Sequence, residues 1–356
     1  MISNRNILSN LTGGTVTPTQ IVLSGMRPTG RIHLGNYFGA LKNWVELQDT
    51  YRCMYMAADW HALTSDYAET GEICDNTLEM VADWIAAGLD PNKSVIFIQS
   101  MVPEHAELHL LFSMITPLGW LERVPTYKEQ IAQIENKDLL TYGFLGYPVL
   151  QTVDILIYRA HFVPVGEDQA SHIEISREIG RRFNYLYGEV FPEPRALFTP
   201  TPKVPGIDGR KMSKSYGNAI HLSDTPDEIR RKCKEMFTDP ERLFRKDPGR
   251  PSVCNLFQFH KLISSPELCA DVERRCLAAE IGCVDDKKLL AEQIIGFLEP
   301  MQKRRAELVG DRGALMDILI EGSARAREIA RETMEFARAA MKLDYSTVLG
   351  SAKGSA

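Results

Sequence analysis

Asp208-Gly209-Arg210-Lys211-Met212-Ser213-Lys214-Ser215-Tyr216-Gly217-Asn218 is the stretch on which the reading of this chain turns. Two lysines stand three residues apart, framed by small hydroxyl side chains and bracketed by glycines. Glycine reaches backbone conformations that other residues avoid, so such a loop can bend. Lys211 and Lys214 carry compact charges with rotating donors on long stems, a form suited to phosphate oxygens. A generic run of Lys, Ser and Gly is a solvated surface loop. The functional alternative needs a second phosphate-handling segment elsewhere in the chain.

Such a segment lies upstream. Ile21-Val22-Leu23 is a short apolar run ending in Ser24-Gly25, the pattern of a buried parallel strand entering a ligand loop. The loop Met26-Arg27-Pro28-Thr29-Gly30-Arg31-Ile32-His33-Leu34-Gly35-Asn36 follows, then a helix burying Phe38, Leu41, Trp44 and Val45. Strand, glycine-containing loop and helix make a phosphate-binding arrangement, because helix N-termini present free N–H groups. His33 and Asn36 can donate to phosphate or ribose oxygens, and Thr29 offers a hydroxyl. Gly35, lacking a side chain, leaves room for a flat base.

Further apolar runs at Cys53–Ala57, Ser94–Gln99, Phe162–Val165 and Ala196–Phe198 predict four more strands. Helical patterns between them imply an α/β fold, a Rossmann-type parallel sheet with right-handed crossovers. His61 follows the second strand, at the end where open α/β sheets bind ligands, though a structural role fits it equally. From Tyr147 to Tyr158 the pattern is helical. Tyr147, Gln151 and Asp154 share one face, and Leu150, Val153 and Ile157 the other. A carboxylate in so apolar a helix needs a donor. Either it makes an internal cap or ion pair, or it accepts a ligand N–H; an indole, one donor on a large apolar body, fits the second. Gly166-Glu167-Asp168-Gln169 is another polar strand-to-helix junction.

Beyond Asn218 strand signals cease, and helices are expected at about 223–237, 253–263, 266–279, 285–305 and 324–342. The resulting division is a flexible arm 1–19, a Rossmann-type domain 20–216 with a helical insertion at about 104–146 between the halves of its sheet, an all-helical C-terminal domain 217–345, and a flexible tail 346–356. A hydrophobic content of 44% with 25% charged residues is that of a soluble globular protein. Net charge is −6, so contact with a nucleic acid requires a local patch. Residues 203–250 hold twelve Lys or Arg against eight Asp or Glu, modest support for a polyanionic partner. Seven scattered cysteines and no leader pattern point to a reducing, cytoplasmic setting. No apolar run nears the roughly 18 residues that span a bilayer.

The string Lys211-Met212-Ser213-Lys214-Ser215 and the upstream His33-Leu34-Gly35-Asn36 together resemble the two signatures of class I aminoacyl-tRNA synthetases. Asn36 in place of a second His, the helix of Asp154, and the Gly166–Gln169 loop resemble the bacterial tryptophanyl branch. The likeness runs from about Ile21 to Leu343. It implies ATP-dependent activation of L-tryptophan, release of pyrophosphate, and transfer to the terminal ribose 2′-OH of tRNA(Trp) by a homodimer, with Mg2+ and no membrane. Lys211, Lys214 and His33 are the implied catalytic residues. ATP contacts are implied for Arg27, Pro28, Thr29, Gly35, Asn36, Gly166, Glu167, Asp168, Val204, and Lys211 through Ser215. Tryptophan contacts are implied for Asp154, Tyr147, Gln151, Gln169 and His61. Some members of this branch carry a four-cysteine iron–sulfur motif. Here Cys254, Cys276 and Cys283 are followed by Asp286 at the fourth place, so no cluster is expected and no metal ligands are assigned. Tyrosyl-tRNA synthetase, a non-charging paralogue that binds tryptophan or RNA, and a plain nucleotidylyltransferase are the alternatives.

Overall fold

The computed structural model describes residues 20–125, 127, 139–166, 170–198 and 204–345. The proposed arm and tail lie outside the described residues, as do Glu167, Asp168, Gln169 and part of the insertion.

Five strands form one parallel sheet: β1 (Ile21–Met26), β2 (Arg52–Ala57), β3 (Val95–Ile98), β4 (Phe162–Val165) and β5 (Arg195–Phe198). Their order is β3-β2-β1-β4-β5. The chain leaves central β1 for β2 on one side and returns to β4 on the other. The crevice at the carboxyl ends of β1 and β4 is therefore a topological switch point, where open α/β sheets take ligands. Alternate strand residues feed two apolar cores. Val22, Tyr55 and Ile96 join one, and Leu23, Met56 and Phe97 the other.

The helix after the first loop has three parts: α1 (Leu34–Asn36), a π-helical stretch Tyr37–Leu41, and α2 (Lys42–Leu47). It buries Phe38, Leu41 and Trp44, while Val45 is half-buried. α3 (Asp59–Asp66) and α4 (Ile73–Ala86) connect β2 to β3. α5 (Glu104–Ser113), α6 (Leu118–Leu121), α7 (Tyr142–Leu145) and α8 (Tyr147–Leu156) precede β4, and α9 (Ala170–Tyr187) precedes β5. Pro148 sits in the first turn of α8, where its missing N–H leaves no intrahelical bond unmade. Five helices follow: α10 (Pro226–Glu235), α11 (Asn255–Ile263), α12 (Pro266–Leu277), α13 (Cys283–Gly310) and α14 (Arg312–Ala340). Thr225 and Glu228 form a reciprocal capping box that starts α10.

α14 packs along β3, the edge strand. The Ile98 N–H, which has no neighbouring strand on that side, donates to Ser323 Oγ at 3.2 Å. Gly322 is a close approach: a Cβ there would collide with the Ile96 carbonyl. Edge strands left open invite pairing with other chains, and α14 closes this one.

Candidate active site

Asp154, 3% exposed, lies in the wall of a 470 Å³ cavity at the switch point. Tyr147 and Gln151 line the same cavity from α8, His61 from α3, Trp44 from α2 and Gly166 from the end of β4. The Asp154 carboxylate is held by three donors. Oδ1 accepts from Gln99 Nε2 at 2.7 Å and from His105 Nδ1 at 2.8 Å. Oδ2 accepts from His61 Nε2 at 2.8 Å. Burial alone would raise the carboxyl, but the imidazoles of His61 and His105 outweigh it and hold it below the usual carboxylate range. Behind His105, the Tyr158 hydroxyl meets Nε2 at 2.7 Å. Burial first, then the charges of Asp154 and Glu104, push the Tyr158 phenol well above its ordinary value. Tyr158 thus stays protonated and donates to His105, which donates to Asp154. The ring is fixed in one tautomer.

A second cleft, of 310 Å³, adjoins the first and is lined by Thr29, His33, Asn36, Ser213, Lys214 and Ser215 among others. His33 caps α1. Its Nδ1 accepts the Asn36 N–H at 3.2 Å, and Asn36 Oδ1 accepts the His33 N–H at 3.2 Å. Burial, then the charge of Lys214 and the nearby His221, lower the His33 pKa to about 4. The ring is neutral at pH 7, and with Nδ1 accepting, its proton is on Nε2. Lys214 Nζ donates to the Gly30 carbonyl at 2.8 Å. Burial lowers its pKa to about 8; Asp83 opposes that fall and Arg27 adds to it.

The lysine stretch is a hairpin. Pro205 bridges to Lys211, and the Met212 N–H donates to the Val204 carbonyl at 3.1 Å. Asn218 ties the tip, accepting the Ser213 N–H at 2.8 Å and donating to Asp208 at 2.7 Å. Next along the chain, Ile220 and Leu222 exchange backbone bonds of 2.9 Å with Leu34 and Ile32, which locks this segment to the His33 loop. The Met212 sulfur accepts the Gly35 N–H at 3.3 Å. A Cβ on Gly35 would lie 2.9 Å from the His33 ring, so the bare Cα lets that ring keep its place over the helix N-terminus.

Arg27 lines both cavities. Its side chain is exposed, with Nη1 donating to Ser65 Oγ on α3 at 3.3 Å.

The structure thus gathers Thr29, His33, Asn36, Ser213, Lys214 and Ser215 in one cleft, with Tyr147, Gln151, Asp154, His61 and Gly166 in the other. Lys211 is exposed and lines neither; Val204 and Met212 are buried in the hairpin, and Pro28 is buried as well. His61 serves Asp154 directly. Gln99, His105 and Tyr158 escaped the sequence reading. Only the place of Gln99 at the carboxyl end of a strand hinted at it. Cys276 and Cys283 share Arg242, whose Nη1 lies 3.7 and 3.8 Å from their sulfurs. Asp286 accepts from His260 Nε2 at 3.1 Å. A guanidinium between two thiols, with an imidazole-bound carboxylate at the fourth place, is not the four-thiolate set of an iron–sulfur cluster.

Residues 17–299 match the family model of tRNA synthetases class I (W and Y). The chain belongs to this family. The tryptophan--tRNA ligase of Thermotoga maritima is 52% identical over 326 residues, covering 91% of this chain and 99% of that protein. The ligase of Aquifex aeolicus is 46% identical over 392 residues, covering 90% and 99%. Among solved structures, the tryptophanyl-tRNA synthetase of Campylobacter jejuni, complexed with ADP and tryptophan, superposes with a TM-score of 0.85. It is 34% identical and covers 91% of this chain and 100% of its own. For a synthetase of this family the two adjoining cavities make chemical sense. One can hold an apolar body with a single N–H donor, the other a polyphosphate, and Arg27 stands at the seam.

Proposed function

We propose that this synthetase activates L-tryptophan with ATP and passes the tryptophanyl group to tRNA(Trp). The position of Arg27 carries the reading, because the reaction joins a carboxylate from one cavity to a phosphate from the other. The tryptophan carboxylate is already ionised and needs no general base. One of its oxygens bonds to the α-phosphorus, the bond from that phosphorus to the bridging oxygen breaks, and pyrophosphate leaves. Rate then comes from positioning and from neutralising charge. The Lys214 ammonium meets the departing pyrophosphate, the His33 Nε2–H donates to a phosphate oxygen, and Arg27 neutralises the α-phosphate. Lys211 joins them only if the hairpin turns inward.

Bound together with ATP, Mg2+ would offset charge on its phosphates. Among the described residues no group of three or more His, Cys, Asp or Glu is placed to hold a metal ion. The resemblance assigns Gly166, Glu167 and Asp168 to ATP and Gln169 to the polar end of the amino acid; of these, Gly166 lines the Asp154 cavity and the other three lie outside the described residues. The indole N–H goes to Asp154, whose carboxylate has a free lone-pair site on Oδ2.

The enzyme acts as a cytoplasmic homodimer. Met114, Leu118, Leu140 and Tyr142 are 62–77% exposed near the proposed insertion, and Tyr185 is 88% exposed. A second copy would cover them. No helix among the described residues is long and apolar enough to cross a membrane.

The test is ATP–pyrophosphate exchange with each of the twenty amino acids, followed by charging of tRNA(Trp). Exchange that depends on tryptophan, with charging, is expected. Exchange with tyrosine alone, or adenylate formation without charging, would replace this reading with one of its rivals.

A further inference from the structure

Two buried side chains stand in line behind Asp154, and neither lines the cavity. His105 on α5 and Tyr158 in the turn after α8 are both 0% exposed. His105 Nδ1 lies 2.8 Å from Asp154 Oδ1, and His105 Nε2 lies 2.7 Å from the Tyr158 hydroxyl. An ionised carboxylate only accepts, so Nδ1 carries a proton. Among the described residues the Tyr158 hydroxyl makes one hydrogen bond, the one to His105. A phenol that only accepted it would bury its own proton without a partner, so the phenol donates. Nε2 is then a bare acceptor, and the ring is neutral. The Tyr158 ring is held from outside by Phe97 on β3, which meets it edge-on with centroids 5.2 Å apart. α5 is held too: beside His105, both oxygens of Glu104 accept from Arg327 Nε on α14, at 2.9 and 3.1 Å. A phenylalanine would pack against Phe97 as a tyrosine does, so the buried hydroxyl needs a reason of its own.

We propose that His105 and Tyr158 are positioning residues for amino-acid selection: the hydroxyl holds the imidazole neutral with its Nδ1–H on Oδ1, so that Asp154 offers an undiminished negative charge to an N–H in the cavity. This rests on Asp154 receiving the indole N–H. Without the hydroxyl, Nε2 is an orphaned acceptor in a dry site, and each way of relieving it disturbs Asp154. The ring turns away from the carboxylate, or it takes a second proton and cancels the charge.

The experiment measures ATP–pyrophosphate exchange of the full chain with tryptophan and with benzothienylalanine, in which sulfur replaces the indole N–H. The readout is the ratio of the two kcat/KM values. Wild type is expected to prefer tryptophan by about 10²-fold or more, because a site built for an N–H rejects the analogue that lacks it. Tyr158→Phe keeps the ring and removes one oxygen. It is expected to lower the ratio about tenfold, the worth of roughly one net hydrogen bond, nearly all of it as lost kcat/KM for tryptophan, while KM for ATP holds. His105→Gln cuts the line at its other end, since its amide reaches toward Tyr158 and puts no N–H at the Nδ1 place; the ratio falls there as well. Adding Tyr158→Phe to His105→Gln changes the ratio by less than about twofold, because the hydroxyl acts only through the ring. A ratio that stays at the wild-type value in whichever single variant folds overturns the proposal. So does a loss shared equally by both amino acids, which is what a packing defect gives. In either case a wild type that requires tryptophan and rejects the analogue leaves the reading of Asp154 standing. A wild type that makes no distinction between the two overturns both.

Discussion

Replacing Asp154 with asparagine removes a charge and leaves the shape of the side chain. A carboxylate has four lone-pair sites, and three are taken here. Gln99 and His105 occupy Oδ1, and His61 occupies one side of Oδ2. An amide nitrogen at the Oδ1 place would confront two N–H donors. It therefore settles at the Oδ2 place, where His61 can turn an unprotonated nitrogen toward it. The indole N–H of tryptophan then meets a donor instead of a charged acceptor. Losing a charge-assisted hydrogen bond costs about 1.5–3 kcal/mol. At tenfold per 1.4 kcal/mol this is about 10- to 140-fold in kcat/KM for tryptophan. KM for ATP is expected to hold, because Asp154 does not line the Lys214 cleft. Alanine behaves differently. It leaves Gln99 and His105, both 0% exposed, without their acceptor, and breaking such a buried set costs about 3–5 kcal/mol of stability. The assay is pyrophosphate exchange with tryptophan and ATP varied separately, beside denaturant unfolding of both variants. An asparagine variant within twofold of wild type in kcat/KM for tryptophan would refute the assignment. So would an equal loss against ATP.

Lys214→Ala is expected to lower kcat by about 10²- to 10³-fold, as loss of one preorganised charge-stabilising donor does, with a smaller change in KM for ATP; pyrophosphate exchange at saturating ATP measures it. The same variant should lose the fall in rate above about pH 8, since that fall is the loss of the Lys214 proton. In Gly35→Ala the new Cβ sits 2.9 Å from the His33 ring, so the ring leaves its cap on Asn36 and KM for ATP rises while the thermal midpoint stays near wild type. Gly322→Ala strikes a backbone carbonyl at Ile96, which is unable to yield as a side chain does. Overpacking of that kind costs about 1–3 kcal/mol or more, so the thermal midpoint falls and exchange at 25 °C is spared.

The strands were legible because a parallel strand covered on both faces is a plain apolar run bounded by polar residues. All five lie within one to three residues of their predicted ends. Asp154 was legible as an anomaly, the one carboxylate in a helix made mostly of Val, Leu, Ile and Thr. Its partners were not. Gln99, His105 and His61 lie 55, 49 and 93 residues away, and no periodicity reports on a contact across that distance. The two lysines mislead in another way. Three residues apart they would share a helix face, but in a hairpin they part, Lys214 inward to Gly30 and Lys211 outward. The placement of α14 on β3 was illegible except through Gly322, since an isolated glycine inside a helix sacrifices about 1 kcal/mol relative to alanine and so marks a place where something comes close.

What remained hidden has a common physical form. Asp83 joins α4 to α13, and Asp154 joins α8 to α3, α5 and the end of β3. Asp224 joins Arg31 in the His33 loop to Lys232 on α10. Each carboxylate is at most 3% exposed. Apolar packing is tolerant of small displacements, whereas a buried charge held by two or three donors is not. Segments that must meet within tenths of an ångström around ATP and tryptophan are therefore pinned by buried acids, and the rest of the chain is left to pack. It follows that substitutions at these three aspartates disturb catalysis out of proportion to the apolar area they remove, which neighbouring Leu→Ala changes of similar stability cost would not.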